Sequence, residues 1–176
     1  MRVRSRHARD LDAGADEVGR LVAALGSDHD VLWPNDRWPG TRIEFDRPLG
    51  PGARGGHGVI RYSVEAYEPG RRVVFRFDPG TGLDGTHGFD VEPLDGGRTR
   101  LVHTLDARVE GTTRLMRPLL LRMHDTLIGQ LLDNAERATG GHVEHPTRMP
   151  LWMRALNAAE AHLTRGAGRN GVPAAP

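Results

Sequence analysis

The feature that most constrains this chain is a switch of hydrophobic period. Between residues 41 and 109 apolar side chains alternate with polar ones, through Ile43 and Phe45, then Ile60, Tyr62, Val64 and Ala66, then Val73, Phe75 and Phe77. The alternation runs on through His87, Phe89 and Val91 and through Leu101, His103, Leu105, Ala107 and Val109, while Asp90, Glu92, Arg98, Arg100, Asp106 and Arg108 take the other face. A period of two puts one face of each strand on a core and the other in water, as antiparallel sheets allow. After Gly111 the period becomes helical, with Met116, Leu120, Met123, Leu127, Leu131, Ala135 and Ala138 recurring at intervals of three or four within 112–139. A sheet with one apolar face and a long helix with one apolar stripe bury those surfaces against each other.

The links predict a meander, because Glu68-Pro69-Gly70-Arg71 and Asp95-Gly96-Gly97 are short and rich in turn-forming residues. Parity fixes the second link. Pairing Leu94 with Arg98 sets Val91 opposite Leu101, Phe89 opposite His103 and His87 opposite Leu105, inward against inward, whereas pairing Asp95 with Arg98 mismatches the faces. Upstream, residues 2–11 read as a strand, and Asp12-Ala13-Gly14-Ala15-Asp16-Glu17 opens a helix with acids where its dipole favours them. Val18, Leu21, Val22 and Leu25 form that helix's apolar face, and Gly26 ends it. Ser27 to Pro39 is a loop or short helical turn that must bury Trp33 and Trp38. Pro118 marks the first turn of the long helix or a kink near its start, and Gly140-Gly141 ends it. Residues 141–149 read as a linker, 150–165 as an appended amphipathic helix with Trp152, Leu156, Ala159 and Leu163 on one face, and 166–176 as a disordered tail.

Composition excludes several functions. A chain of 176 residues is one domain's length, and its 24 basic and 23 acidic residues leave a net charge of +1. Every basic residue is arginine, which reads as codon bias in a GC-rich bacterial genome; the arginines are interspersed with acids, so no nucleic-acid partner is expected. With no cysteine there is no disulfide framework, thiolate nucleophile or thiolate metal site. Met1-Arg2-Val3-Arg4-Ser5-Arg6 is followed by no apolar stretch and no run approaches the roughly 20 apolar residues of a membrane span, so neither a secretory leader nor a membrane span is expected and the cytoplasm is the default.

Several constellations invite chemistry. Gly80-Thr81-Gly82-Leu83-Asp84-Gly85 matches a dinucleotide fingerprint literally, but a strand follows it instead of a helix, so it reads as a hairpin loop and no cofactor is expected. His142 and His145 follow Gly140-Gly141 without a further ligand motif and read as linker, so no metal is expected. Asp28-His29-Asp30 and His124-Asp125 lack a nucleophile elbow, and neighbours on a helix point roughly 100° apart. Gly55-Gly56-His57-Gly58 suits a bulged strand or close approach of a ligand to His57. His87 and His103 fall on the inward parity of adjacent strands, either as satisfied core histidines or as contacts to a bound molecule.

The order of strand, short helices, antiparallel strands and long C-terminal helix, together with Leu11-Asp12-Ala13 before Asp16-Glu17-Val18 and the turn Pro51-Gly52-Ala53-Arg54, resembles the START-like superfamily. That group, also called SRPBCC, includes polyketide cyclase-like and Bet v 1-like proteins. The resemblance covers residues 2–140 and implies an α+β helix-grip fold: a curved antiparallel sheet of six or seven strands wrapped around the long helix, with two short helices after the first strand. It also implies a cavity of the kind used across the superfamily for lipids, sterols, polyketides and aromatic compounds, but no catalytic residue carries over. Residues 1–140 are then a ligand-binding domain, with Tyr62, Phe75, Phe77, Phe89, Leu105, Met123 and Leu127 as apolar wall and His87 with His103 as polar handle. The alternatives are a cyclase or dehydratase using the same two imidazoles for acid–base work, and a protein-interaction module in which the helix 150–165 meets a partner or a second subunit.

Overall fold

Inward-facing residues meet inward-facing residues at each junction of the sheet. In the computed structural model, which describes residues 1–111 and 113–158, the strands are β1 (Arg2–Leu11), β2 (Ile43–Phe45), β3 (Arg54–His57), β4 (Ile60–Glu68), β5 (Arg72–Phe77), β6 (Leu83–Pro93) and β7 (Thr99–Val109), with helices α1 (Ala15–Ala23) and α2 (Thr113–Ala138). They form one seven-stranded antiparallel sheet in the order β1-β7-β6-β5-β4-β3-β2. Val91 pairs with Leu101, Phe89 with His103 and His87 with Leu105, and the Leu94 N–H donates to Arg98 O at 2.9 Å, the register that parity requires. The first strand lies beside the last, with His7 opposite His103 and Leu11 opposite Thr99.

One step of the alternation is interrupted. A β-bulge between Val64 and Ala66 turns Ala66 out to solvent and brings Tyr67 opposite Val73. On the convex face, cross-strand ion pairs such as Arg2 and Arg4 with Asp106, Arg100 with Asp10 and Arg76 with Glu65 line up in water, where they contribute little to stability.

Helix α2 lies against β1 and β7, and Leu127, Ile128, Leu131, Leu132 and Ala135 enter the core with Phe89 and Leu101. The expected stripe is therefore buried at Leu127, Leu131 and Ala135, while Leu120 and Met123 are half-buried and Met116 and Ala138 are exposed. Pro118 sits in the second turn on the exposed side, so the helix starts ahead of it. The first short helix is α1. In place of a second helix there is only a hydrogen-bonded turn at 34–38, in which the Trp38 N–H donates to Pro34 O at 3.0 Å. Both tryptophans are buried and hydrogen-bonded, Trp38 Nε1 to Gln130 Oε1 at 2.9 Å and Trp33 Nε1 to Thr41 O at 3.0 Å.

Asp133 of α2 has no exposed side-chain surface; it accepts from Arg9 of β1 at 2.7 Å and from the Thr147 N–H at 2.6 Å, while Arg9 also pairs with Glu136. The chain after α2 is thereby drawn back onto the helix. Residues 151–158 are helical and dock through Met153 and through Asn157, which donates to Arg37 O. Trp152 and Leu156, part of the expected apolar face, are exposed instead; Ala159, Leu163 and the tail 166–176 lie outside the described residues. Among the described residues no helix is long and apolar enough to cross a membrane.

Helix α1 packs onto the β4–β5 turn at a glycine contact, since a Cβ on Gly19 would lie 2.4 Å from Gly70 O. Alanine there gains about 1 kcal/mol of helix propensity but meets backbone that a rotamer change does not relieve. Gly19→Ala is expected to lower the urea midpoint by an amount equivalent to about 1–3 kcal/mol, and a rise would mean that the contact is looser than described.

Candidate functional site

Where α2 leaves the core, a cavity of about 210 Å³ opens between its N-terminal half and the sheet. Phe77, Leu83 and Leu105 line it from the strands, and Leu120, Leu121, Met123 and Leu127 from the helix. The β3–β4 hairpin forms part of its rim, with His57 paired to Ile60 across the two-residue turn Gly58-Val59. Gly58 sits at φ 53°, as a turn with glycine first demands, and Val59 is 86 % exposed. Gly55 and Gly56 are explained by strand packing, because a Cβ on either would lie 2.0 Å from a neighbouring carbonyl oxygen.

The polar groups on this apolar wall are chiefly imidazoles. His57, His87 and His124 line the cavity. Their rings continue a row: His87 lies 5.8 Å from His103 between centroids, His103 5.1 Å from His124, and His124 5.9 Å from His7. His87 is stacked between Phe75 at 5.0 Å and Phe77 at 4.8 Å, with Tyr62 edge-on at 4.6 Å. Tyr62 Oη, His87 Nε2, His103 Nδ1 and both nitrogens of His124 are buried without a hydrogen-bond partner. Such groups carry a desolvation penalty that a bound polar group would relieve.

Burial sets their charge. It pushes His57 down to about 4, with His124 and Arg61 adding to the effect, and holds His87 and His103 well below the ordinary imidazole range. The Tyr62 hydroxyl is pushed up by the same cause. At the far end of the row the His124 and His7 rings hold the Asp125 carboxyl down to about 2.

Of the residues expected at the site, Phe77, His87, Leu105, Met123 and Leu127 line the cavity. Tyr62, Phe75, Phe89 and His103 stand behind them in the core, His103 at 1 % exposure. His124, weighed in the sequence only against a triad, is a wall residue. The signal for it is helical spacing, four residues after Leu120 and three before Leu127. His7 follows likewise from the inward parity of Val3 and Leu11 on β1.

Comparison with solved structures decides the fold. A protein from Thermobifida fusca is 20 % identical over 81 % of this chain and 99 % of its own, with a TM-score of 0.59. The Bet v 1-like Ara h 8.0201 is 12 % identical over 79 % of this chain and 98 % of its own, with a TM-score of 0.53. CalU16 from Micromonospora echinospora is 16 % identical over 94 % and 96 %, with a TM-score of 0.50. This is a helix-grip fold. At these identities the likeness of the helix-grip chain to its neighbours is one of architecture. No family model matches the chain, and no curated protein matches it in sequence.

The imidazoles make stability depend on pH. A histidine at about 6.5 in the unfolded chain and lower in the fold binds its proton first on unfolding, so its contribution is fully present above 6.5 and is lost as pH falls toward its folded value. For His57 that window is 6.5 to about 4; for His87 it extends well below 6.5. Each proton contributes a slope of up to about 1.4 kcal/mol per pH unit. Urea unfolding followed from pH 7.5 to 5 should show a steep loss of midpoint below 6.5. A flat profile would show that His57 and His87 are protonated inside the fold.

Proposed function

We propose that this helix-grip domain, residues 1–140, binds a small, largely apolar molecule carrying one polar group that reaches His87. The observation that carries this reading is the unpartnered His87 Nε2 on the wall of a cavity whose lining is otherwise mostly aliphatic and aromatic. An apolar surround with a few convergent polar groups is the usual composition of a small-molecule pocket. Its size selects among the ligands that the superfamily resemblance implies. At about 210 Å³ it is smaller than the roughly 300–1,000 Å³ of drug-sized sites, which favours a compact aromatic or short-chain compound over a sterol.

Basicity ranks binding above acid–base catalysis. An imidazole held well below neutrality is uncharged at pH 7 but a weak proton acceptor, and catalytic bases work best when poised near the operating pH. As a neutral hydrogen-bonding group it is well suited to a hydroxyl or a carbonyl, depending on its tautomer. The cyclase-type alternative would need turnover from a base tuned the wrong way.

An environment-sensitive apolar dye should bind saturably and be displaced by small aromatic alcohols or ketones. Losing one neutral hydrogen bond costs about 1 kcal/mol, so His87→Phe is expected to weaken a carbonyl- or hydroxyl-bearing ligand about fivefold while sparing a hydrocarbon of the same shape. His103→Phe, behind the wall, should leave that discrimination intact. Absence of saturable dye binding, or equal losses for both ligands in His87→Phe, would overturn the reading.

A further inference from the structure

A second cluster lies at the edge of the sheet, where β1 passes under α2. His7 Nε2 is 3.0 Å from Asp125 Oδ1, and His124 Nδ1 is 3.5 Å from the same oxygen. One donor atom from each of the three residues falls within 4.8 Å of the others. Ser5 Oγ stands 2.9 Å from His7 Nε2 and donates to Asp125 Oδ1 at 3.3 Å. The geometry points to a binding site for one divalent transition-metal ion of the zinc class, held by His7, His124 and Asp125.

Two other readings of the cluster fail on its geometry. A nucleophilic triad needs the serine on one imidazole nitrogen and the carboxylate on the other. Here Ser5 and Asp125 both approach Nε2 of His7, so the ring cannot relay a proton between them. A simple ion pair does not account for His124 either, since at 3.5 Å its Nδ1 makes no well-formed hydrogen bond and its Nε2 has no partner. The ordinary partner of a carboxylate in this chain is arginine, as at Asp10, Asp106, Asp133 and Glu65. Asp125 has the two imidazoles and the Ser5 hydroxyl beside it, and no arginine ion pair among the described residues.

A cation accounts for His7, His124 and Asp125 gathering with no hydrogen bond to His124 Nδ1. Ligands bound at about 2.0–2.1 Å in a tetrahedral shell stand about 3.3 Å apart, between the 3.0 and 3.5 Å that separate the two imidazoles from the Asp125 oxygen, and the two imidazole nitrogens lie within 4.8 Å of each other. Two imidazoles and one carboxylate suit zinc, cobalt or nickel better than magnesium or calcium, which prefer oxygen alone. Three protein ligands leave a coordination position open to water. His124 also lines the cavity, so the proposed site shares one residue with its wall.

The test uses the full chain without an affinity tag, stripped with chelator and titrated with Co²⁺ by visible absorption and with Zn²⁺ by calorimetry. One saturable equivalent per chain is expected, with a higher melting temperature in its presence. His7→Gln, His124→Gln and Asp125→Asn should each weaken Zn²⁺ by at least about tenfold and alter the Co²⁺ bands. Asp125 is 48 % exposed, so Asp125→Asn should disturb packing least of the three and serve as the decisive variant even if a histidine change unsettles the fold. Changing His142 and His145 to Gln together, the exposed histidines after α2, should leave binding as it was. No saturable equivalent, binding that survives Asp125→Asn unchanged, or binding lost with His142 and His145 would each overturn the site.

Discussion

Closure of the helix over the sheet rests on the carboxylate of Asp133. A buried charge is tolerable only when its lone pairs are taken, and here Arg9 of β1 and the Thr147 amide take them from opposite sides. One side chain thus fastens α2 to the edge strand and pulls the following chain back across the helix. Removing a partner from such a pair typically costs about 3–5 kcal/mol, more than a single apolar contact in the same place supplies. The docking of Met149 and Met153 depends on it, because the chain reaches them only after the reversal at Thr147. A buried stripe alone would leave α2 free to slide along the sheet; the ion pair sets its position, and with it the width of the cavity at the other end.

Pinned at its C-terminal half, α2 spans the cavity with its N-terminal half, where the side chains are only partly buried. The imidazoles are the consequence. His87 and His124 keep polar edges in an apolar shell at the expense of unsatisfied nitrogens. The Phe75 and Phe77 rings flanking His87 restrict it to one orientation, so what the wall presents is a fixed polar point and not a mobile one.

The strands and the long helix are legible because alternation and helical periodicity report burial directly. The pairing of Val91 with Leu101 follows from turn length and parity alone. Less legible is the depth of each inward residue. Phe75 and Phe77 share a face, yet Phe77 meets the cavity and Phe75 does not, since the sheet's curvature decides which inward side chains reach open space. The bulge beside Val64 is equally silent, as a strand with one extra residue has the same composition as one without. His124 and Asp125 illustrate a third limit. Adjacent helical residues diverge in the ideal geometry, but a long imidazole and a short carboxylate bend back toward one another when a strand residue such as His7 lies beneath them, and only the tertiary arrangement reveals it.

The pairing of β1 with β7 has a bearing on how the chain acquires its structure. Met1 and Val109 meet across 108 residues of sequence, so the first strand waits for the last before it gains a neighbour. Hairpins from β4 to β7 close over short loops and can form early, whereas β1 must search against an already assembled edge. During synthesis the N-terminal strand emerges first and is completed late, with Leu11 and Val3 exposed until β7 leaves the ribosome and α2 follows. A sheet that pairs its first strand with its last is complete only once both are present.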